Sequence, residues 1–305
     1  MNILVIGSNG QLGKSFKKIS PRYDHEWTFL SHNELDITDR AAVYWYLKTH
    51  LVDVCINCAA YTNVDGAESD EYNAVKVNYI GLANLAEWCK EFDVFLVNYS
   101  TDYVFDYEKR ISDYDKRNNP PYTETSKPCP KSIYALTKLM GDKALEKANP
   151  NYINIRTSWV FSEFNKNFVK TIISKIDKGE EIKVVNDQIG CPTYASDLAE
   201  VTMNLIKKHF KINKLNCKKR KCHEIYNFNN GETMSWHDFA IKIAMVYGKK
   251  CIIEPTFTFS QIAHRPSYSA LDISKFKKET NISPRNVNDA LIECINVIRI
   301  EKENL

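Results

Sequence analysis

Tyr134 and Lys138 stand four residues apart in the run Tyr134-Ala135-Leu136-Thr137-Lys138. On a helix that spacing puts a phenol and an ammonium on one face. A free tyrosine has a pKa of about 10, too high for an effective acid at neutral pH. A neighbouring ammonium favours the phenolate and lowers that value, so the pair is either a proton donor with its own tuning charge or an ordinary pair on a helix surface. Upstream lies Tyr99-Ser100-Thr101-Asp102-Tyr103, hydroxyls and an acid that follow an apolar run. Such groups at a strand end can meet a ligand, and a Ser-Thr pair there can equally be a helix cap. Gly7, Gly10 and Gly13 follow the apolar run Asn2–Ile6 at three-residue spacing. Glycines there let the backbone approach a pyrophosphate, and the helix start beyond them offers N–H groups and partial positive charge.

The elements that must position these groups alternate between strand and helix. Asn2–Ile6 is a strand, Gly7–Gly13 a turn, and Gln11–Ile19 a helix. Trp27–Leu30 reads as the second strand. It ends in Ser31-His32 with no acid to hold a ribose 2′-hydroxyl and no arginine to grip a 2′-phosphate, so NADPH is allowed and softly favoured over NADH. In Leu35-Asp36-Ile37-Thr38 the polar residues either cap a helix starting near Asp39 or touch a ligand. Val52–Cys58 is a continuous apolar run, as in a strand buried on both faces. Ala59-Ala60-Tyr61-Thr62 after it is either a small-residue turn or room for a flat ring or ribose. Asp65–Cys89 reads as helix with Asn78 in its middle, and Asp93–Val97 as the fourth strand. This alternation predicts an α/β fold, a Rossmann-type doubly wound parallel sheet. Charged residues and Asn118-Asn119-Pro120-Pro121 make Asp106–Pro121 a surface loop.

Beyond Trp159 the pattern is irregular. Phe168–Lys178 reads as helix, Glu181–Val185 as strand, Asp197–Lys208 as helix and His223–Phe228 as a late strand. Thr233–Gly248 is a further helix, and Cys251–Pro255 a strand. The expected organisation is a dinucleotide-binding domain over 1–160, with 195–228 returning to it. Residues 161–194 and 229–305 then form a smaller, discontinuous C-terminal substrate lobe over the cleft, a favoured ligand position.

Composition excludes some classes. The 305 residues suffice for a large core, and 44% hydrophobic with 26% charged is ordinary for a globular chain. A net charge of +3 gives no argument for nucleic acid. No apolar run approaches the roughly 20 residues that span a bilayer. No basic segment precedes the first apolar run, so the expected location is cytoplasmic, without a membrane. Nine cysteines are an odd number. Cys55 and Cys58 should face opposite sides of a strand, with no second C-x-x-C to complete a zinc site, and Cys217 with Cys222-His223 sits in a basic loop, where reduced thiols are the expected reading. No metal site is expected. The basic run Lys207–Lys221 reads as a solvated loop.

Together the motifs are specific. The chain resembles the extended short-chain dehydrogenase/reductases, and among them the dTDP-4-dehydrorhamnose reductase family. The resemblance runs through Gly7–Gly13, Leu35–Thr38, Asn57–Glu68, Ser100–Phe105, Tyr134 with Lys138, Arg156–Val160, Asn167–Val169, Asn186–Gln188 with Gly190–Thr193, and Arg265-Pro266 with Ser269–Asp272. The later groups separate this family from sugar-nucleotide epimerases and dehydratases.

The resemblance implies reduction of the C4 keto group of a dTDP-linked keto sugar by NADPH or NADH. It implies Tyr134, Lys138 and Thr101 as catalytic residues. Tyr134 would give a proton to the C4 oxygen, Lys138 would hold the nicotinamide ribose, and Thr101 would polarise the carbonyl. Thr101, Asp102 and Trp159 would contact the substrate. Gly7, Gly10, Gln11, Leu12 and Gly13 would line the pyrophosphate, Asp36 and Ile37 the adenine, and Ala60, Tyr61, Thr62 and Tyr99 the rest of the cofactor. Asn78 matches the helix asparagine of the family's proton path. A homodimer and a divalent ion between subunits occur among relatives. This chain departs in having Ala135 where the family has glycine, a longer 106–121 loop, and the basic run. Two other readings stay open. One is a regulatory NADP-binding subunit similar to the methionine adenosyltransferase beta subunit. The other is a reductase of another nucleotide-linked keto sugar.

Overall fold

The computed structural model describes residues 1–106, 119–215, 222–258 and 261–303. Six strands form one parallel sheet: β1 (Asn2–Ile6), β2 (Glu26–Leu30), β3 (Val54–Asn57), β4 (Phe95–Thr101), β5 (Tyr152–Thr157) and the strand His223–Asn227. Their spatial order is His223–Asn227, β5, β4, β3, β1, β2. The apolar runs of β1, β3 and β4 are buried along nearly their whole length because helices cover both faces. One face packs Ile3, Val5, Ile56, Val97 and Ile155 against Phe16, Leu198 and Leu205. The other packs Leu4, Cys55 and Leu96 against Val43, Leu85 and Leu145. Cys55 thus lies on the second face, while Cys58 packs against the first.

From β1 the order runs one way to β2 and the other way to β3. The crevice at that reversal, outside the carboxyl ends of the strands, is where such sheets bind ligands. Two turns line it. Gly7 has φ of +77°, and a Cβ on it would sit 2.6 Å from the Ala59 amide nitrogen after β3. Gly13 lies so close beneath that its Cβ would be 2.5 Å from the Gly7 carbonyl oxygen. Helix α1 (Gln11–Ile19) therefore starts pressed onto the turn. Its N-cap, Gly10, has no side chain to cap it, and its first turn carries no acid.

Four elements differ from the sequence reading. Asp65–Cys89 is not one helix: it breaks into Val64–Ser69, Glu71–Val75, a π-helical turn Lys76–Gly81, and Leu82–Glu91. Asp70 causes the first break by capping the second piece. The π turn presses its Asn78 carbonyl on the helix Ile133–Ala148, where a Cβ on Gly141 would come within 2.2 Å of that oxygen. The fourth strand starts at Phe95 and not at Asp93, whose positive φ makes a turn, and it reaches Thr101 because Asn98 to Thr101 pair with β5. Asp39, not Asp36 or Thr38, caps α2 (Arg40–Thr49), accepting from the amides of Ala41 and Ala42. The helix read as Asp197–Lys208 spans Ala195–Leu215.

A second core joins Val169, Ile172 and Ile176 of the helix Phe168–Lys178 to Phe239, Ile243, Leu291 and Ile295. It covers Ile182–Val185, which pairs in parallel with Ile253–Thr256. Most of the loop 106–121, Cys217 and Lys218–Lys221 lie outside the described residues. Among the described residues, no helix is long and apolar enough to cross a membrane.

Candidate active site

The helix Ile133–Ala148 begins at Ser132, whose hydroxyl accepts the Ala135 amide hydrogen bond. That start aims Tyr134 and Lys138 at the end of β4. Lys138 is buried, and its Nζ donates to the Tyr99 carbonyl oxygen at 2.7 Å. Thr101, the last residue of β4, is 5% exposed. Its Oγ1 accepts the Tyr103 amide at 3.2 Å and donates to Asp102 Oδ1 at 3.2 Å. The rings of Tyr103 and Tyr134 meet edge to face with centroids 5.8 Å apart.

Burial pushes the Tyr134 phenol up to about 12, opposed by the Thr101 hydroxyl. The sequence reading had Lys138 lowering this value. Here one N–H of the Lys138 ammonium goes to the Tyr99 carbonyl, and desolvation of the phenol wins. Tyr134 is therefore protonated at neutral pH, the form a proton donor needs. Burial also lowers the Lys138 pKa, against the attraction of Asp142.

A cleft of about 330 Å³ opens beside Tyr134 and Lys138. Gly10, Gln11, Leu12, Ala60, Thr62 and Tyr99 line it, bringing these six expected residues together with the pair. Gly7 and Gly13 shape the turn beneath without lining the cleft. Asp36 and Ile37 lie apart from it: Asp36 accepts the Thr38 amide at 2.8 Å, and the Ile37 side chain is core. Tyr61 does not line the cleft; its backbone is held by Asn78 through both amide atoms. Asn78 Nδ2 also donates to Thr137 Oγ1 at 3.1 Å. At the end of β2 the structure adds an acid that the strand-end reading lacked. Glu34 folds back to accept from both the amide and the hydroxyl of Ser31, each at 2.7 Å.

A larger cleft, about 600 Å³, lies on the other side of Tyr103, lined among others by Phe168, Lys175, Gln188, Trp236 and Arg265. Arg265 is fixed by Asp65 at 2.7 Å. Trp159 does not line this cleft. Its indole is stacked 3.6 Å from Trp236 and lies on Gly190, where a Cβ would come within 2.5 Å of it. Asp102 lines neither cleft; it is 2% exposed and accepts a short hydrogen bond from Ser269.

A family model described as the RmlD substrate binding domain matches residues 1–300. Over 300 residues the chain is 34% identical to the dTDP-4-dehydrorhamnose reductase of Aggregatibacter actinomycetemcomitans, covering 95% of this chain and 96% of that one. The chain belongs to the dTDP-4-dehydrorhamnose reductase family. A crystal structure of a member from Clostridium acetobutylicum superposes with a TM-score of 0.87 at 34% identity, over 98% of this chain and 100% of that one. A Bacillus anthracis member, solved in complex with NADP, superposes with a TM-score of 0.85 at 31% identity, over 97% and 98% of the two chains. A Thermus thermophilus UDP-glucose 4-epimerase complex with NAD, at 18% identity and a TM-score of 0.76, shares the fold.

The turn fits the nicotinamide cofactors of this reductase family. Only glycine fits at positions 7 and 13, and the uncapped helix start faces the cleft. Ser100, one of the strand-end hydroxyls, lines it too, and sequence reasoning gave no site role to Asn57, Thr157, Asn165 and Lys166, which also do. Asn165 is fixed over the glycine turn by its Nδ2 bond to the Asn9 carbonyl oxygen and by Lys14 Nζ. Asn167, one of the residues that carried the resemblance, donates to Gln11 Oε1 at 3.0 Å. Its position just before a predicted helix signals only an N-cap, and its Oδ1 does accept the Lys170 amide at 3.2 Å; the bond to Gln11 left no sign in the sequence.

Burial pushes Asp102 up to about 7, with the Ser269 and Thr101 hydroxyls opposing. Its folded pKa is thus above the ordinary carboxyl value, so between about pH 4 and pH 7 the native state binds more protons than the unfolded chain. Stability contributed here falls as pH rises through that window. Asp102→Asn removes the cost, and its advantage in unfolding free energy over the wild type should grow by about 3 kcal/mol from about pH 5 to about pH 8. Urea titrations at the two pH values measure this. An advantage independent of pH would mean that Asp102 ionises freely.

Proposed function

We propose that this protein reduces the C4 carbonyl of dTDP-4-dehydro-L-rhamnose, giving dTDP-L-rhamnose at the expense of NADPH or NADH. The observation that carries the reading is the meeting of Thr101, Tyr134 and Lys138 beside the cleft that the glycine turn lines. Names among the relatives support the sugar. Residues 1–160 with 195–228 would hold the cofactor, and 161–194 with 229–305 the nucleotide sugar. On this reading the protein works in the cytoplasm as a homodimer.

The bound cofactor supplies a hydride to the carbonyl carbon. Tyr134 donates its phenolic proton to the oxygen as negative charge develops there, and Thr101 shares that oxygen through its hydroxyl. Lys138, anchored by the Tyr99 carbonyl, keeps two further N–H groups for the cofactor ribose and for the charge left on Tyr134. Gly10, Gln11 and Leu12 would bind the pyrophosphate through backbone amides. Asp102 holds Thr101 in place from behind.

The test is the near-ultraviolet absorbance of the reduced cofactor, with each cofactor in turn and substrate generated in place from dTDP-glucose by a dehydratase and an epimerase. Oxidation that requires the full mixture is expected. Tight cofactor binding with no oxidation would favour a different keto sugar or a regulatory subunit.

A further inference from the structure

Three of the central strands carry an asparagine where their neighbours carry apolar residues. Asn57, Asn98 and Asn154 pair in register across β3, β4 and β5. Two residues earlier in the same strands, Cys55, Leu96 and Tyr152 belong to the apolar core of that face. An asparagine in a buried parallel strand has poor strand propensity and costs free energy if its amide is unpaired. All three are at most 4% exposed.

Their amides are paired with one another, head to tail. The Ala59 amide donates to Asn57 Oδ1 at 3.2 Å. Asn57 Nδ2 donates to Asn98 Oδ1 at 3.1 Å, and Asn98 Nδ2 to Asn154 Oδ1 at 2.9 Å. Asn154 Nδ2 then donates to Asp142 Oδ1 at 3.0 Å. The other oxygen, Asp142 Oδ2, accepts from Ser100 Oγ at 2.7 Å. Four bonds thus run one way across the sheet, from the loop after β3 to one buried carboxylate. Aligned dipoles of this kind reinforce one another. Asp142 sits one helical turn beyond Lys138, on the same face of the helix.

We propose that Asp142 is a positioning residue for the reduction: as the fixed anion at the end of this ladder, it keeps Lys138 an ammonium beside Tyr134. The ladder gives it that power. A carboxylate that accepts from Ser100 and Asn154 stays ionised more readily than a bare one in the same burial. The other charged or titratable groups around Lys138 do not replace it. Tyr134 on its own helix is neutral, as is Cys58 beyond Tyr99. Asp102, at the end of β4, is pushed up to about 7 by burial, and its charge bears on Tyr134 and not on Lys138. Arg156 of β5 and Lys166 at the cleft are themselves cations. Burial raises Asp142, while Arg156 and Lys138 pull it down. The same anchoring fixes the Ala59 amide, and with it the loop that meets Gly7.

The inference rests on the reductase reading, and the test separates the two. Asp142→Asn can keep both contacts of the ladder, since its Oδ1 still accepts from Asn154 and its Nδ2 can donate to the Ser100 hydroxyl. Only the charge goes. Lys138 then loses its proton at lower pH, and the alkaline limb of kcat/KM should move down by about one unit, a tenfold loss on that side. Asp142→Glu, which restores the anion, should move the limb back toward the wild type. A uniform drop in kcat with the limb unmoved, or a Glu variant as shifted as the Asn variant, would overturn the proposal. Should Asp142→Asn fail to fold, Ser100→Ala removes one donor from the carboxylate, and a smaller shift in the same direction is expected; no shift overturns the role. If the wild type binds NADPH but reduces no sugar nucleotide, the reductase reading fails. The pH dependence of NADPH binding, read by the fluorescence of the reduced nicotinamide, then decides for Asp142 by the same shift or its absence.

Discussion

Tyr134→Phe should retain NADPH binding and lose about 10²- to 10⁴-fold in kcat, the usual worth of a positioned proton donor. The substitution removes one oxygen and leaves the ring. That ring packs edge to face on Tyr103, so the wall between the two clefts survives. Thr101 and Lys138 also keep their places, because Thr101 is held by Asp102 and Tyr103 and Lys138 by the Tyr99 carbonyl; only the contact of the Thr101 hydroxyl with the phenol is lost. Hydride transfer would still be possible, with the developing alkoxide protonated by water or stabilised by Thr101 alone. The expected signature is a fall in kcat with cofactor affinity unchanged, measured by steady-state kinetics and calorimetry. A variant with unaltered kcat would remove Tyr134 from the chemistry.

Gly7→Ala should weaken NADPH binding more than tenfold and lower the Tm by at least about 5 °C. Two costs add. A φ of +77° strains any residue with a Cβ, and the added carbon would sit 2.6 Å from the Ala59 nitrogen and 2.7 Å from the Cys58 carbonyl carbon. Backbone cannot rotate out of the way as a side chain can, so the turn itself must move. Strain and overpacking together cost about 2–5 kcal/mol. Gly231→Ala provides the control, since Gly231 has φ of +81° but nothing within 4 Å of an added Cβ. The loss at Gly7 beyond the loss at Gly231 isolates the clash between the turns. Equal losses would mean that the two loops can separate freely.

The strand pattern and the glycine turn were legible in the sequence because buried parallel strands are continuous apolar runs and turns need glycine. The Tyr134–Lys138 pair was legible because four residues make one helical turn. What escaped depends on contacts distant in sequence. The π turn at Lys76–Gly81 has no periodicity signature of its own; it is matched to Gly141, sixty residues away. One miss is local: Glu34 lies only three residues from Ser31, and no pattern shows that its carboxylate bends back onto that residue. The height of the Tyr134 pKa follows from burial, which no spacing reveals. The asparagine ladder did leave a mark, in Val-Cys-Ile-Asn, Phe-Leu-Val-Asn and Tyr-Ile-Asn. Each strand taken alone looks like a strand with one poor residue, and the meaning appears only when the register aligns them. Trp159 illustrates the reverse: an aromatic expected against the sugar is stacked behind Trp236, which takes the place at the cleft wall.

The outermost strand, His223–Asn227, bears on how the chain is made. It is the last piece of the sheet to leave the ribosome, about seventy residues after β5, which it covers. Until then β5 presents an open edge of unpaired amides and carbonyls, a template for pairing with other chains. Tyr226 and Phe228, which complete the core on one face, are missing for the same interval. The first half of this protein is therefore not a self-sufficient folding unit. A nascent chain stalled, or a product cleaved, near residue 160 would expose that edge and aggregate. Completion of the sheet thus waits on synthesis of the segment that interrupts it, so a molecule with a finished sheet already carries Phe168–Lys178 and Ile182–Val185, the first pieces of the second core.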